Sequence, residues 1–285
     1  MLEHMPPIPS ARKQRVGIEL RKMRDAAGST TTEAAKVFGV DRTKITLIEQ
    51  GAYSITPERV VALAHKYGEL DTEYIEALAT MAGDKGKGWW EEYRGSVPQG
   101  FLDICEFEYH AKGMYSYQIC HPPGPMQTER YSRAIFQDAQ VRLTPRIVET
   151  RVEQRMLRSE MLMAKGTHPY TAIVHEAALR MQFGGRDVAR EQLDWMLELS
   201  QLPHITLRVV SFAAGGFKGP GQAIYYANGA VPRLDTVSYD SMEGPVFLHM
   251  PDHLEEYRSM VEQMADRSLS VEGSRDLIAK IKKEI

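Results

Sequence analysis

Residues 32–51 read TEAAKVFGVDRTKITLIEQG and decide how the first part of the chain folds. A short helical run ends before Gly39, which can turn the chain, and Asp41 can cap the helix that follows. In that second helix Ile45 and Ile48 share the inward face. Two short helices joined by a tight glycine turn are typical of a helix-turn-helix arrangement.

Three further helices are predicted around this pair. Apolar residues recur at helical spacing through Val16–Met23, so a first helix precedes the pair. Pro57 suits the first turn of a fourth helix, and Asp71 can cap a fifth. The sequence therefore predicts a mostly α, five-helix helix-turn-helix domain over residues 11–82.

The glycine-rich stretch at 83–88 predicts a linker, and the pattern changes after it. Segments with the apolar and β-branched character of strands alternate with helical segments, and two helices close the chain. The predicted strands lie within 170–177, 205–212, 222–228 and 236–242, and the predicted helices are 145–164, 186–199, 252–265 and 271–284. We therefore expect residues 89–285 to form an α+β domain with a small sheet flanked by helices.

The charge of the chain is unevenly distributed. Residues 10–55 contain nine Lys or Arg against five Asp or Glu, a net charge of +4, which leaves −7 for the remainder of a chain whose total is −3. A locally basic module in an acidic chain is expected when only that module meets phosphates. The composition thus favours DNA contact by the first domain alone.

The remaining composition bounds the class of protein. No apolar run approaches the roughly 20 residues of a spanning helix, and the first residues lack the apolar middle of a secretory signal. We expect a cytoplasmic protein without membrane association. Cys105 and Cys120 are too few for a secreted disulfide framework, so free thiols are expected.

Residues 17–51 carry three spaced motifs: L-R-x-x-R-x-x-x-G, E-x-A-x-x-x-G-V and I-x-x-x-E-x-G. In these motifs the chain resembles the Xre class of helix-turn-helix domains, the class of phage repressors and Cro. The resemblance implies double-stranded DNA as partner and makes the helix after Asp41 the recognition helix.

A set of residues around that helix is predicted to contact DNA. Arg42 can fork onto guanine, Thr43 can reach either base edge, and Leu47 can lie against a thymine methyl group, or else pack on a neighbouring helix. Lys44 is expected to hold a phosphate. The full predicted set is Thr31, Arg42, Thr43, Lys44, Thr46, Leu47 and Gln50.

The resemblance also implies a structural ion pair between Arg24 and Glu49, which would tie the first helix to the recognition helix. Two departures from the family pattern weaken the expected binding to DNA phosphates. Thr31 stands where the family often has Gln, and Ala52 follows Gly51 where Arg or Lys is common. A single domain should then bind weakly, and a homodimer on two half-sites would compensate.

The later chain has a second resemblance. WWEEYRGSVPQGF at 89–101 and PGPMQTERYSRA at 123–134 are similar to a domain of unknown function that follows Xre domains in many actinobacterial regulators. This resemblance implies a regulator whose second domain dimerises and senses a small-molecule effector or a protein. Members are also described as antitoxin-like, so the alternative is a protein that sequesters a small protein partner and uses DNA binding for autoregulation.

Other candidate sites have plainer alternatives. The aromatic residues of 89–93 could stack on a ligand or anchor the linker, and 127–129 could line a polar site or cap a helix. The Arg/Glu-rich helix at 145–164 is interpreted as a charged outer face over an apolar stripe, whose methionines could extend a dimer seam.

No enzyme is predicted. His175-Glu176 lacks the second histidine of a zinc-protease motif, and the glycines of 215–222 precede a strand instead of opening a helix. The cysteines and histidines of 105–121 match no zinc spacing. We therefore expect no catalytic residue, no metal and no cofactor.

Overall fold

The computed structural model describes residues 8–84, 88–139, 142–164, 168–215, 221–242 and 244–285. The chain divides into two compact units. Unit 1 contains the described residues up to Arg94 together with Pro98–Phe107 and Ala230–Leu234, and unit 2 contains Gly95–Val97, Glu108–Gly229 and Asp235–Ile285. Of the linker predicted at 83–88, residues 85–87 lie outside the described residues.

The helix-turn-helix part of unit 1 is helical. Its helices are α1 (Ala11–Ala26), α2 (Thr31–Phe38), α3 (Arg42–Glu49), α4 (Pro57–Lys66) and α5 (Thr72–Gly83), and α6 (Gln99–His110) begins in the same unit. The predicted five-helix domain is confirmed. Helix α1 begins at Ala11, before the apolar run Val16–Met23 that predicted it, because Ser10 accepts a hydrogen bond from the Lys13 amide and caps the helix.

The helix starts follow from short polar side chains. Thr30 and Glu33 form a reciprocal capping box at α2, with Thr30 Oγ1 accepting from the Glu33 amide and Glu33 accepting from the Thr30 amide. Asp41 Oδ1 accepts from the Lys44 amide at 2.8 Å and begins α3. Asp71 caps α5 in the same way, and Pro57 occupies the first turn of α4.

One apolar core holds unit 1 together. It combines residues of α1, α3, α4 and α5, each nearly inaccessible to solvent: Leu20, Ile48, Val60, Leu63, Ile75 and Leu78. Leu234, from the separate chain segment of unit 1, is buried in the same cluster at 3% exposure. A smaller cluster of Ala34, Ala35 and Ile45 packs α2 against α3.

Unit 2 is built on a mixed sheet. Its six described strands are β1 (Gly113–Gln118), β2 (Tyr170–His175), β3 (Ile205–Val210), β4 (Ile224–Asn228), β5 (Thr236–Ser241) and β6 (Gly244–Leu248). The strand order is β3-β2-β1-β4-β5-β6. Strands β1, β2 and β3 run parallel, and the pairs from β1 through β4 and β5 to β6 are antiparallel.

Helices flank this sheet. They are α7 (Glu129–Gln137), α8 (Pro145–Met163), α9 (Glu176–Arg180), α10 (Arg186–Leu199), α11 (Pro251–Arg267) and α12 (Val271–Glu284). The predicted α+β class with a small, helix-flanked sheet is confirmed. The four predicted strands correspond to β2, β3, β4 and β5, and the four predicted helices correspond to α8, α10, α11 and α12. Strands β1 and β6 were not predicted.

The two faces of the sheet differ in character. On one face Tyr117, Ile173, Ile224 and Tyr226 form an apolar core with residues of α11 such as Leu254. On the other face β1 carries Ser116 and Gln118, each 1% exposed. Among the described helices, none is long and apolar enough to cross a membrane.

Candidate nucleic-acid interface

The turn between α2 and α3 fixes the direction of the candidate recognition helix. Gly39 ends α2 in the left-handed conformation with φ of 61°, and its amide donates to backbone carbonyls of α2. Asp41 then starts α3 two residues later. Because a side chain at Gly39 would strain this backbone, glycine is what the short turn requires.

Helix α3 turns its two faces to different surroundings. Ile45 and Ile48 are buried at 2% and 4% exposure. The opposite face carries five exposed side chains of the predicted DNA-contacting set: Arg42, Thr43, Thr46, Leu47 and Gln50. Helix α3 is therefore short and amphipathic, with its mostly polar face exposed and its apolar face buried.

Leu47 lies on the exposed face of α3. Its side chain remains 37% exposed, in contrast to the buried Ile48 beside it. The Thr46 hydroxyl donates a hydrogen bond to the Arg42 carbonyl at 3.3 Å. The apolar Leu47 therefore lies next to a threonine whose hydroxyl is bonded within the helix.

Lys44 is at the margin of this face. It is half-buried, and its ammonium lies 4.4 Å from the centre of the Tyr53 ring. Tyr53 is itself 44% exposed and donates its amide to the Leu47 carbonyl at 3.1 Å. Sequence reasoning treated 52–54 only as a departure from a family pattern and missed Tyr53, which orients the lysine by a cation–π contact.

Thr31 is the first residue of α2 and is half-buried. The residue that caps the helix is its neighbour Thr30, through the bonds with Glu33. The hydrogen bond that the Glu33 carboxylate accepts from the Thr30 amide lowers the pKa of this carboxyl group. The amides of Thr30 and Glu33 at the start of α2 are thus both hydrogen-bonded within the chain.

Arg24 and Glu49 join α1 to the end of α3. The guanidinium donates Nε to Oε1 at 2.6 Å and Nη2 to Oε2 at 2.9 Å, and both side chains are about nine-tenths buried. Arg24 also donates Nη1 to the Ser29 carbonyl at 2.9 Å. The hydrogen bonds to Glu49 raise the pKa of Arg24, which keeps its guanidinium charged at neutral pH.

The same two helices approach each other closely at a glycine. A side-chain carbon on Gly17 of α1 would lie 2.4 Å from the Ile48 carbonyl oxygen and 2.5 Å from that of Glu49. A side-chain carbon on Gly51, whose φ is 72°, would lie 2.7 Å from the backbone of Gln14. The absence of side chains at both positions lets the backbone of α1 touch the C-terminal end of α3.

Residues 230–234 contribute a second polar cluster to unit 1. Arg233 donates Nη2 to Glu69 at 2.8 Å and Nη1 to Asp71 at 3.2 Å, and its guanidinium lies 3.7 Å from the centre of the Tyr74 ring. The Arg233 carbonyl accepts from Nη2 of Arg15 at 2.8 Å.

Behind this contact lies a buried group of charges. Tyr74 donates its hydroxyl to Glu19 at 2.7 Å, and Glu19 also accepts from Arg15 at 2.7 Å and from Lys22 at 2.8 Å. Burial alone would raise the pKa of Glu19, but Arg15, Lys22 and Tyr74 together lower it. Sequence reasoning missed this cluster, because no local pattern connects residue 233 to residues 15–74.

Two family models match the chain. A helix-turn-helix domain matches residues 15–78, which contain α2, α3 and the pair Arg24–Glu49. The domain of unknown function DUF5753 matches residues 101–280, well over half of the 285 residues. The chain belongs to the DUF5753 family. The predicted resemblance to a helix-turn-helix regulator with a C-terminal domain of unknown function is confirmed.

The helix-turn-helix match supports a DNA-binding regulator. No curated protein and no solved structure matches this DUF5753 member. The match to DUF5753 begins at residue 101, and within it residues 101–107 and 230–234 belong to unit 1. The family domain therefore supplies part of the compact unit that contains the helix-turn-helix.

Proposed function

We propose that this DUF5753 member is a sequence-specific transcriptional regulator that reads a palindromic operator as a homodimer. The observation that carries the proposal is the exposed face of α3, with Arg42, Thr43 and Leu47 near its N-terminal half. A recognition helix placed in the major groove meets base edges with such residues. Arg42 would recognise guanine, and Leu47 would contact a thymine methyl group.

Phosphate contacts would fix the register of this helix on DNA. Lys44 is held beside Tyr53 at the edge of the face, where a lysine reaches the backbone instead of the base edges. The predicted contacts of Thr31, Thr46 and Gln50 complete the proposed footprint. Since few of these residues are cationic, one unit alone would bind weakly.

A homodimer would compensate for the weak binding of a single unit to DNA. Two copies that bind half-sites about 34–36 Å apart combine two weak contacts into one strong one. We propose that the part of the chain outside the helix-turn-helix acts as the effector or partner domain of such a dimer. In the described part of the chain, no feature specifically favours the antitoxin-like alternative.

The proposal is tested by selecting binding sites from random duplex DNA with the full-length protein. We expect an enriched palindrome whose affinity exceeds that of scrambled DNA by about 10³-fold or more and falls steeply with salt. Arg42→Ala should weaken the selected site and relax preference at one base pair, and the matched control Arg186→Ala, at an exposed arginine of unit 2, should not.

Selection of a non-palindromic site, or a single protein chain on the selected duplex, would contradict the dimeric reading. No enrichment over scrambled DNA would contradict sequence-specific recognition by α3. Mass determination of the complex by light scattering distinguishes one bound copy from two.

A further inference from the structure

Unit 2 contains a surface cavity of about 610 Å³, called here the α7 cavity. Its walls come from two segments of the chain. One is the end of α7, with Ala134, Gln137 and Asp138, and the other is the turn after α9, residues 181–184. The volume falls within the roughly 300–1,000 Å³ that is typical of cavities for small molecules. None of the proposed DNA-contacting residues lines it.

The two walls of the α7 cavity touch at Gly184. A side-chain carbon on Gly184 would lie 3.0 Å from the Ala134 Cβ and 3.1 Å from the Val188 Cβ. The φ of 74° at Gly184 turns the chain, and the Gly185 amide donates to the Gln182 carbonyl at 2.9 Å in the same turn. Packing of this turn against α7 therefore fixes one wall relative to the other.

Apolar side chains form part of the lining. The Phe183 ring is half-buried and lies edge-to-face against the buried Tyr131, with the ring centres 5.6 Å apart. Met181, which follows α9, is 40% exposed. A ring held in place by a second ring and a polarisable thioether offer contact surface to the hydrocarbon part of a ligand, and an aromatic ring also attracts a cation.

Asp138 gives the α7 cavity its charge. Among the described residues that line the cavity, Asp138 is the only one with an acidic or basic side chain. The side chain is exposed, and in the described part of the chain it forms no ion pair. The lining therefore carries one negative charge that the protein leaves uncompensated.

The position of Asp138 does not favour the helix that it follows. It comes directly after Gln137, the last residue of α7, and its amide donates to the Ala134 carbonyl at 3.0 Å. The C-terminal end of a helix carries partial negative charge, which stabilises a cation and repels a carboxylate. A cation from outside the chain would be attracted by Asp138 and by the helix end together.

Two glutamines add neutral polar groups to the lining. Gln137 and Gln182 are both exposed, and each amide oxygen can accept a hydrogen bond. A calcium ion matches this set poorly, because it takes roughly six to eight oxygen ligands and prefers several carboxylates. An anion would be repelled by Asp138. An N–H donor that carries one positive charge matches the carboxylate and the amide oxygens.

We propose that the α7 cavity binds a small organic ammonium ion. The ammonium group donates to the Asp138 carboxylate and to the glutamine amide oxygens, which are charge-assisted and neutral acceptors respectively. The hydrocarbon part lies against Phe183 and Met181. One carboxylate matches a monocation, and the apolar wall favours an amine with a carbon skeleton over an inorganic cation.

This inference deepens the proposed function, on which it rests for calling the ligand an effector. Binding to the α7 cavity requires no DNA, so a direct binding measurement separates the two proposals. Failure of ammonium binding would leave operator recognition by α3 intact, and failure of operator recognition would leave the α7 cavity intact.

The test uses the full-length protein and ¹⁹F NMR of two ammonium ions, 4-fluorobenzylammonium and the aliphatic 4,4,4-trifluorobutylammonium. The matched uncharged compounds are 4-fluorobenzyl alcohol and 4,4,4-trifluorobutanol. We expect line broadening of at least one ammonium ion, reversed by an excess of the same amine without fluorine. The corresponding alcohol should bind about tenfold more weakly or less, because it cannot pair with a carboxylate as a cation does.

Two variants locate the binding. Asp138→Asn keeps the shape of the side chain and removes its charge, so the Kd of the ammonium ion should rise about tenfold or more. The matched control Asp266→Asn, at an exposed aspartate of α11 outside the lining, should leave the Kd unchanged. Met181→Ala should raise the Kd severalfold through lost apolar contact, and the protein should stay folded because this side chain is 40% exposed.

Three outcomes would overturn the proposal. Absence of broadening for both ammonium ions would show that the cavity does not take this class of ligand. Equal affinity for an ammonium ion and its alcohol would show that Asp138 does not select a cation. An unchanged Kd in both Asp138→Asn and Met181→Ala would place the binding elsewhere on the protein.

Discussion

The carboxylate of Glu49 accepts two parallel hydrogen bonds from the guanidinium of Arg24, at 2.6 and 2.9 Å, and thereby joins the last turn of α3 to α1. Both partners are about nine-tenths buried. Glu49→Ala would remove the buried, bidentate partner of Arg24 and leave it only the ion pair with the exposed Asp25 at 2.7 Å, so we expect the free energy of unfolding to fall by about 3 kcal/mol. Urea denaturation of the full-length protein measures it.

Glu191→Ala serves as the matched control for this prediction. Glu191 pairs with Arg130 at 2.6 Å, but both side chains are largely exposed, and such pairs contribute at most about 1 kcal/mol. Equal effects of Glu49→Ala and Glu191→Ala would show that the pair Arg24–Glu49 does not stabilise unit 1.

Gly17→Ala tests the close approach of α1 to the end of α3. The added methyl group would lie 2.4 Å from a backbone carbonyl oxygen of α3, and backbone cannot move aside as a flexible side chain does. We expect destabilisation by about 1–3 kcal/mol, although alanine favours a helix more than glycine does. Thermal melting compares it with Arg21→Ala on the exposed side of the same helix, and a Tm equal to that of the control would contradict the prediction.

Lys44→Ala tests the proposed phosphate contact. Removal of one phosphate-binding cation should weaken binding to the selected operator and to scrambled DNA alike, and should reduce the slope of log K against log salt by about one. Tyr53→Phe keeps the ring that lies 4.4 Å from Lys44 and should leave the slope unchanged. An unaltered slope for Lys44→Ala would place this lysine away from the DNA backbone.

Leu47→Ala tests direct readout by an apolar side chain. Because Leu47 is 37% exposed, its truncation should leave the unfolding free energy within about 0.5 kcal/mol of wild type. Preference for thymine at one operator position should fall severalfold, since the contact with the methyl group is lost. Binding-site selection repeated with the variant gives the readout, and an identical preferred sequence would show that Leu47 does not read bases.

His121 predicts a pH dependence for unit 2. Burial, and secondarily the charge of Arg155, lowers the pKa of His121, so the folded state disfavours its protonated form. The unfolded chain binds a proton at His121 more readily than the folded state does. The contribution of His121 to the free energy of unfolding is therefore fully retained above the ordinary histidine pKa of about 6.5 and is lost as pH falls below it. His121→Gln should therefore flatten the dependence of the unfolding free energy on pH over that range.

The exposed His253 supplies the control, and His253→Gln should retain the slope of wild type. His175, whose pKa burial also lowers, should leave part of the slope in His121→Gln. A slope equal to that of wild type in His121→Gln would refute the assignment.

Local signals were sufficient for much of the fold. The caps Asp41 and Asp71, the first-turn Pro57 and the glycine turn at 39 lie where the sequence predicted helix ends, because a cap depends only on residues within one turn. Helices α10 and α12 begin and end at the predicted residues. These elements have polar outer faces and apolar inner ones, which is the pattern that periodicity detects.

Strand β1 could not be predicted in this way. Ser116 and Gln118 are polar and buried, so the alternation that identifies a half-exposed strand is hidden. The interpretation of α8 as a charged outer face was wrong in part for the same reason, since Arg158 and Gln154 are buried at 7% and 1% exposure. Polar residues inside a domain are set by tertiary contacts, and these leave no local period.

Two residues of the other candidate sites cap helices. Thr128 accepts from the Tyr131 amide at 3.3 Å and caps α7, and His175 accepts from the Ala177 amide at 3.2 Å and caps α9. Trp90 is buried at 2% exposure, as expected of an anchor. For the predicted loop at 215–222, residues 216–220 lie outside the described residues.

The membership of residues 230–234 in unit 1 bears on how such regulators can be recombined. Leu234 is part of the apolar core of unit 1, and Arg233 lies over the Tyr74 ring. A fragment that ends at residue 84 would lack both residues and would lose this packing. If α3 reads an operator as proposed, exchanging DNA specificity between relatives requires transplanting this five-residue segment along with the first helices, or altering only the exposed positions of α3.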